Sequence, residues 1–317
     1  MEWKTRVTEL FGCRYPILEG AYGGFGHWQF ARAISETGAL GMITAGACRT
    51  PEKLREDIQR YRDATDKPFA VNLSIGPCPR IDEMLDVCIE QRVSIVETAA
   101  YKPDALAPRI KAAGLKWIHK SARVKDAFHA EQLGADAVIV VGLEGTGFKS
   151  PEQLPTLITT IWATRQLKIP FIAAGGIGDA RGFLGALGMG AEGIMMGTAF
   201  MATKECPIGE HAKERLVQAD PGDPRFRHRV LSSPDPADYV EVMKLRGTMP
   251  EMEWVRKIES VRPRPYPGEK EDETSSINQG SLAVATIEHI PTVKELIDSI
   301  VHGAEKLLDN WQFLKTR

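Results

Sequence analysis

Short apolar runs alternate with amphipathic stretches along the first two thirds of the chain. Eight of these runs have the length of buried strands: Pro16–Glu19, Gly41–Ala45, Phe69–Leu73, Ser94–Thr98, Lys116–His119, Ala137–Val141, Phe171–Ala174 and Gly193–Met196. The stretches between them repeat apolar residues with helical spacing, as in Pro51–Arg62, Pro79–Gln91, Asp104–Ala113, Lys125–Leu133, Leu154–Arg165 and Ala180–Leu187. The pattern therefore predicts eight consecutive strand–helix units.

Eight such units are the number that closes a parallel sheet into a barrel. The strands are apolar throughout, as expected when both faces of a sheet are buried. An open doubly wound sheet usually needs fewer units, and no GxGxxG follows the first strand. Gly114, Gly134 and Gly190 each lie between a helix and the next strand, where a left-handed residue often ends a helix. We therefore predict an α/β fold, a (β/α)8 TIM barrel.

The pattern changes after the eighth strand. Residues 207–273 are rich in Pro, Arg, Asp and Met, with one helix candidate at Tyr239–Leu245, and amphipathic spacing resumes at Val293–Leu308. We expect a barrel over 1–206, an inserted cap region over 207–273, and a C-terminal segment, 274–317, whose helix packs back on the barrel. The alternative for 207–273 is a solvated peripheral subdomain.

Composition narrows the classes of protein. The chain has 317 residues, 43% of them hydrophobic, and no apolar run of the roughly 18–20 residues that a membrane span needs. Its N-terminus is charged and lacks a signal-peptide pattern, so a soluble cytoplasmic protein is expected. The 40 basic and 42 acidic residues nearly balance, which argues against a nucleic-acid or membrane partner. Five cysteines without a CxxC pair suggest neither a disulfide framework nor a metal site.

Candidate chemistry begins with the loops after strands seven and eight, the recurrent phosphate site of this fold. Gly175 and Gly176 let backbone amides approach an anion, and the helix that follows adds positive potential. Gly197 allows the same approach, and the Thr198 hydroxyl is a hydrogen-bond donor for a phosphate. The two loops together predict a phosphate cradle.

Polar residues also end two apolar strands. Asn72 closes strand three, and its amide both donates and accepts hydrogen bonds, as a flavin ring edge requires. Lys120 closes strand five, where a cation would stabilise the anionic edge of a reduced flavin. The alternatives are an internal ion pair for Lys120 and a satisfied core amide for Asn72. Two loops complete the expected site: Gly142–Lys149, with Glu144 and Gly147, and the loop after strand one, with Gly20 and Ala21.

At these residues the chain resembles the nitronate monooxygenase (2-nitropropane dioxygenase-like) family, which includes FMN-dependent enoyl-acyl-carrier-protein reductases and NAD(P)H:quinone reductases. The matching elements are Tyr15-Pro16-Ile17, Gly38-Ala39-Leu40-Gly41, Val71-Asn72, Ile118-His119-Lys120, Gly134-Ala135-Asp136-Ala137, Gly175-Gly176-Ile177, Met196-Gly197-Thr198 and Asn278-Gln279-Gly280-Ser281. The resemblance implies FMN as cofactor without a metal, contacted by Ala21, Asn72, Lys120, Gly147, Gly175, Gly176, Gly197 and Thr198.

One departure affects the expected reaction. Where the family loop after strand six ends in a catalytic histidine, this chain has Phe148, which cannot accept a proton. The remaining candidates for proton transfer are Tyr22 and His27 on the first loop and Lys149 beside Phe148. His119 lies within strand five and is expected to be structural.

The first hypothesis is therefore an FMN oxidoreductase that moves a hydride to or from an activated C–C bond next to a carbonyl, as in an enone, enoyl thioester or quinone. The alternative within the family is a nitronate monooxygenase that uses O2. Two hypotheses from other functional classes are a non-redox barrel enzyme that acts on a phosphorylated substrate and a flavin-binding protein without catalytic activity. The expected partners are a small-molecule substrate, NAD(P)H or O2 as redox partner, and a second copy in a homodimer.

Overall fold

The computed structural model of the protein describes residues 1–146, 152–231 and 280–311, and between 231 and 280 also 241–242, 245, 248–250, 253–254, 257 and 260–261. Eight strands form one parallel sheet in the order β1-β8-β7-β6-β5-β4-β3-β2. They are β1 (Ile17–Glu19), β2 (Gly41–Thr44), β3 (Phe69–Ser74), β4 (Ile95–Ala99), β5 (Lys116–Ser121), β6 (Ala137–Val141), β7 (Phe171–Ala174) and β8 (Gly193–Met196). All eight predicted strands are confirmed, and each ends within two residues of its predicted position.

The sheet closes on itself between β1 and β2, although that seam is short. Leu18 forms a parallel bridge with Leu40, and the amide of Glu19 donates to the Leu40 carbonyl at 2.9 Å. One step further along β2, the Met42 amide donates to the Glu19 carboxylate at 2.7 Å. A side chain thus completes the hydrogen bonding of the seam, and the predicted (β/α)8 barrel is confirmed.

Helices surround the barrel in the predicted alternation. They are α1 (Arg6–Phe11), α2 (Trp28–Ser35), α3 (Ala45–Cys48), α4 (Pro51–Ala64), α5 (Ile81–Glu90), α6 (Ala107–Ala112), α7 (Val124–Gln132), α8 (Thr156–Gln166), α9 (Ala180–Gly188), α10 (Thr198–Met201), α11 (Glu210–Gln218), α12 (Pro224–Leu231) and α13 (Val293–Asn310), with a 3-10 turn at Leu282–Thr286. The polar N-caps Thr50, Asp179 and Thr292 begin α4, α9 and α13 by accepting backbone hydrogen bonds.

Successive strand residues alternate between the inside of the barrel and the surrounding helices. The inward residues form one apolar cluster, which Val7 and Phe11 of α1 join from the end where the strands begin: Leu18, Met42, Ala70, Ile95, Ile118, Ala137, Ile139, Ile172, Ala174 and Met195. The outward residues pack with the helices in a second, larger cluster. Since the interior is filled with side chains, the site has to lie at the carboxyl ends of the strands.

The turns that precede the strands confirm the predicted positions of the helix ends. Gly114, Gly134 and Gly190 all have positive φ, at 67°, 91° and 96°, as predicted for residues that end a helix. At the other end of the chain, α13 packs on α9, and Gly303 makes that contact close: a Cβ there would lie 2.8 Å from Ala180 Cβ.

Two helices of the 207–273 region were not predicted. In α11 the buried residues are Ala212, Lys213 and Leu216, and in α12 they are Phe226 and Val230. Each helix buries only a narrow stripe among many charges, so helical spacing was hard to recognise in this region. The predicted helix at Tyr239–Leu245 falls mostly outside the described residues. Among the described helices, none combines the length and the apolar character needed to cross a bilayer.

Candidate functional site

The carboxyl ends of β3, β4 and β5 carry three polar side chains that face the inside of the barrel: Asn72, Glu97 and Lys120. Each follows by two positions a residue of the apolar interior, respectively Ala70, Ile95 and Ile118. Asn72 and Glu97 lie side by side in register and are both fully buried. The polar layer therefore sits on top of the apolar core, at the mouth of the barrel.

Hydrogen bonding in this polar layer is incomplete. Asn72 Oδ1 accepts from the Ser74 hydroxyl at 2.8 Å, while its Nδ2 has no hydrogen-bond acceptor among the described residues. Both Glu97 oxygens also lack a hydrogen bond there, and Lys120 Nζ lies 3.4 Å from Glu97 Oε1, an ion-pair separation. Because buried polar groups are nearly always bonded, these atoms are suited to a ligand at the mouth.

Lys120 and Glu97 are the internal ion pair considered as an alternative for Lys120. Burial raises the pKa of Glu97, and the nearby Lys120 and Asn72 oppose that shift only in part. The Lys120 side chain remains 20% exposed, whereas Glu97 is completely covered. Of the two charged groups, the Lys120 ammonium group is therefore the one that is accessible at the mouth of the barrel.

The opposite faces of β4 and β5 carry a second set of polar side chains, and these form hydrogen bonds with one another. Trp117 Nε1 donates to the Thr98 hydroxyl at 2.8 Å, and that hydroxyl lies 2.9 Å from His119 Nδ1. Burial lowers the pKa of His119 to about 4, so the imidazole is neutral at pH 7. His119 faces the helices and is structural, as expected.

The two glycine-rich loops follow β7 and β8. Gly175 and Gly176 have φ of 106° and 72°, and a Cβ at Gly175 would lie 2.9 Å from Thr156 Oγ1. At Gly197 the nearest atom to an added Cβ is Tyr22 Cε1, at 4.0 Å, so the space in front of that backbone is open. Gly175 and Gly176 thus have the backbone conformation of an anion-binding loop but pack against Thr156 and Glu144, whereas the open access for a phosphate is at Gly197.

Glu144 ties the loop after β6 to this region. Its Oε2 accepts from both the amide and the hydroxyl of Thr156, each at 2.8 Å, at the first turn of α8. The Thr156 hydroxyl also lies 2.9 Å from the Gly175 carbonyl. A carboxylate at a helix N-terminus is electrostatically favourable, so Glu144 holds the Gly175 loop through Thr156.

Thr198 is bonded to the C-terminal part of the chain. Its hydroxyl donates to Ser281 Oγ at 2.9 Å and accepts from the Ser281 amide at 3.0 Å. Next to Ser281, the Leu282 amide donates to the Glu144 carbonyl at 3.0 Å. The segment at Gly280–Leu282 therefore joins the loops after β6 and β8.

The loop after β1 lies against the loop after β8. The Gly20 amide donates to the Met196 carbonyl at 2.7 Å, and a Cβ at Gly20 would come within 3.2 Å of the same oxygen. Ala21 packs beside the barrel interior. The Tyr22 hydroxyl donates to the Gly197 carbonyl at 2.9 Å, and burial, with Glu19 nearby, raises the Tyr22 pKa well above the usual range. These contacts make Tyr22 a support for the Gly197 loop.

His27 is held on another side of the same loop. It precedes α2, and its Nδ1 lies 2.7 Å from Asp57 Oδ2 on α4 and 4.0 Å from Cys48 Sγ at the end of α3. The structure thus brings His27 to α3 and α4, and its role in proton transfer stays a prediction. Gly147, Phe148 and Lys149 lie outside the described residues.

Sequence reasoning missed three residues of the site: Glu97, Thr156 and Ser281. A lone acid inside the apolar run Ser94–Thr98 is the same signal that identified Asn72, and it pointed to Glu97 equally well. Thr156 carried no such signal, because its importance depends on a contact with a distant loop. Ser281 was noted only within the family-matching element Asn278-Gln279-Gly280-Ser281, and its contact with Thr198 was not predicted.

Comparisons with known proteins agree with this geometry. The sequence model described as nitronate monooxygenase matches residues 4–83 and 75–303. A hydroxy-methyl-oxo-octahydroindene carboxyl-CoA dehydrogenase of Mycobacterium tuberculosis is 33% identical over 220 residues, which cover 69% of this chain and 61% of that protein. A probable nitronate monooxygenase of Staphylococcus aureus is 28% identical over 69% of this chain and 74% of its own length. The structure of FabK from Thermotoga maritima has a TM-score of 0.79 at 29% identity, covering 98% of this chain and 99% of that one.

Proposed function

Because the chain belongs to the nitronate monooxygenase family, we propose that it is an FMN-dependent oxidoreductase acting on an activated C–C bond next to a carbonyl. Family members include oxidoreductases named as a dehydrogenase and as a probable nitronate monooxygenase. The observation that carries the proposal is the incomplete hydrogen bonding of the polar layer, at the same end of the barrel as the open backbone at Gly197. A flavin mononucleotide has a polar ring edge and one phosphate, which match these two features.

In this proposal the glycine loops bind the phosphate of the cofactor, and the polar layer binds its ring. Gly175, Gly176 and Gly197 would receive the phosphate through backbone amides, and Asn72 Nδ2 would donate to an acceptor on the ring edge. Lys120 would place a positive charge beside the ring, with Glu97 holding the ammonium group in position. Bound FMN supplies hydride transfer, and the protein supplies orientation and electrostatics.

Among substrates with a C–C bond activated by a carbonyl, which include enones, enoyl thioesters and quinones, we favour a thioester. The support is the relative from Mycobacterium tuberculosis, which is named for a carboxyl-CoA substrate and is 33% identical to this chain. The matched part spans 61% of that relative, so its substrate is used here as a guide to the chemical class.

The deciding experiment has two stages. Purified protein is first tested for stoichiometric FMN, and we expect a yellow protein whose flavin is reduced by NADH or NADPH without oxygen. The reduced protein is then mixed with enoyl-CoAs, enones, quinones and O2, and we expect the fastest reoxidation with an enoyl-CoA. A protein that takes up no FMN would contradict the cofactor assignment, while equal rates with all acceptors would contradict only the thioester assignment.

The second candidate is nitronate oxidation with O2, which the description of the matching family and the Staphylococcus aureus relative favour. A nitronate is already an anion, so electron transfer from it does not strictly require a base. Oxygen consumption with propionate 3-nitronate tests this candidate directly. Turnover faster than any enoyl-CoA reaction would make it the preferred function.

A further inference from the structure

A second chemical cluster lies where α2, α3 and α4 meet. It consists of His27 before α2, Cys48 at the end of α3 and Asp57 in the middle of α4. Each offers one potential ligand atom, and the three atoms all lie within 4.8 Å of one another. Their spacing in the sequence fits no metal motif, which explains why the sequence predicted no such site.

The separations approach those of a tetrahedral zinc site. Zinc–ligand bonds of about 2.0–2.3 Å at tetrahedral angles place neighbouring ligand atoms roughly 3.4–3.6 Å apart. Cys48 Sγ lies 3.5 Å from Asp57 Oδ2 and 4.0 Å from His27 Nδ1. The third separation, 2.7 Å from His27 Nδ1 to Asp57 Oδ2, is a hydrogen bond that a metal would replace. Only small shifts of one exposed ring are needed.

Burial and charge also suit a divalent cation. Asp57 and Cys48 are buried, while the His27 side chain is 31% exposed and leaves one side open to solvent for a fourth ligand. The other Asp57 oxygen, Oδ1, pairs with Lys53 Nζ at 3.3 Å, which fixes the carboxylate orientation. One thiolate and one carboxylate would neutralise a divalent ion, so the loaded cluster carries no net charge apart from Lys53.

The geometry does not fit a catalytic relay. In a nucleophile–base–acid arrangement the thiol and the carboxylate bond to opposite nitrogens of the imidazole. Here both Cys48 and Asp57 lie on the Nδ1 side of His27.

We propose that His27, Cys48 and Asp57 form a binding site for zinc or a similar divalent cation, with an open fourth position. On binding, the Cys48 thiol releases its proton to solvent and coordinates as a thiolate, while the imidazole binds in its neutral form. The argument for this site uses no feature of the proposed flavin site, so its test does not depend on that assignment.

The test uses the full-length, untagged protein as purified, titrated with Co2+ as a spectroscopic probe. We expect one equivalent to give tetrahedral d–d bands and a thiolate charge-transfer band, both removed by Zn2+. Cys48→Ser and His27→Gln should each weaken Co2+ binding by at least about 100-fold, since even indirect partners of metal ligands contribute about 10- to 100-fold. His129→Gln is the matched control, because His129 forms a 2.9 Å pair with Asp104 at an exposed position away from the proposed ligands.

Two spectroscopic outcomes would overturn the proposal. One is the absence of saturable Co2+ binding to the wild-type protein, and the other is an unchanged charge-transfer band in Cys48→Ser. Because Cys48 is buried, the half-exposed His27 provides an independent variant that we expect to fold normally. Zn2+ should raise the thermal unfolding midpoint of the wild type and of His129→Gln but not that of His27→Gln; an equal rise in all three proteins would also contradict the site.

Discussion

On neighbouring strands β4 and β5, Glu97 and Lys120 face the barrel interior, while Thr98 and His119 face the surrounding helices. The outward pair, with Trp117, forms a closed set of hydrogen bonds. The inward pair, with Asn72, leaves buried donors and acceptors without hydrogen bonds among the described residues. Polar residues one position apart therefore differ in their surroundings: the outward set stabilises the fold, and the inward set is the one that we propose binds a ligand.

The largest expected effect concerns acid stability through the outward set. The pKa of His119 is about 4 in the folded protein and about 6.5 when unfolded, so the unfolded chain binds this proton first as pH falls. The contribution of the neutral His119 to the free energy of unfolding is complete above pH 6.5. It is lost between pH 6.5 and 4, which lowers the free energy of unfolding by about 3 kcal/mol in total. Urea unfolding at pH 7 and pH 4.5 measures it, and His119→Gln should show a smaller pH dependence than the wild type. An equal change in unfolding free energy between pH 7 and pH 4.5 in both proteins would contradict the role of His119 in this pH dependence.

The inward set is tested by Asn72→Leu. We expect FMN affinity to fall about 30- to 100-fold, or about 2–3 kcal/mol, because a buried ligand acceptor loses its donor. The apoprotein should be about equally stable, since removing the unpaired buried Nδ2 offsets the loss of the hydrogen bond from the Ser74 hydroxyl to Oδ1. Fluorescence titration with FMN and urea unfolding of the apoprotein measure the two quantities. A loss of apoprotein stability with unchanged FMN affinity would assign Asn72 to the structural class.

The matched outward variant is Thr98→Val, which keeps the shape of the side chain. Removing the hydroxyl leaves the buried Trp117 Nε1 unpaired, and we expect a loss of about 1–3 kcal/mol in the free energy of unfolding. FMN affinity should remain within about twofold of the wild-type value. Thr98 faces the helices rather than the proposed FMN site, and substitutions at independent sites have separate effects. Opposite results for Thr98→Val and Asn72→Leu would sharpen the comparison, and similar results would abolish it.

The smallest effect is expected from Ser281→Ala. This change removes the oxygen that accepts the Thr198 hydroxyl, and we expect FMN affinity to fall about fivefold, or about 1 kcal/mol. The same FMN titration detects it, with Ser299→Ala on the outer helix α13 as a control of the same chemical type. Equal affinities for Ser281→Ala and the wild type would show that Thr198 is positioned without this contact.

Local patterns predicted most of the fold, because strand length, helical spacing and turn glycines all depend on neighbouring residues. The same patterns located Asn72, Lys120 and the glycine loops at the ends of strands. They did not identify Glu97, whose importance follows from its position in register with Asn72, or Ser281, which acts through a contact across 83 positions. The cluster of His27, Cys48 and Asp57 was equally hidden, since three separate elements bring it together.

The contact between Thr198 and Ser281 also sets an order of events during synthesis. All eight strands precede Ser281, so a ribosome completes the barrel sequence before the partner of Thr198 exists. At typical translation rates of about 5–20 residues per second, the 83 intervening positions correspond to a delay on the order of ten seconds. During that interval a nascent barrel has its glycine loops but not the contact between Thr198 and Ser281, so we expect tight cofactor capture to follow synthesis of the segment at Gly280–Leu282.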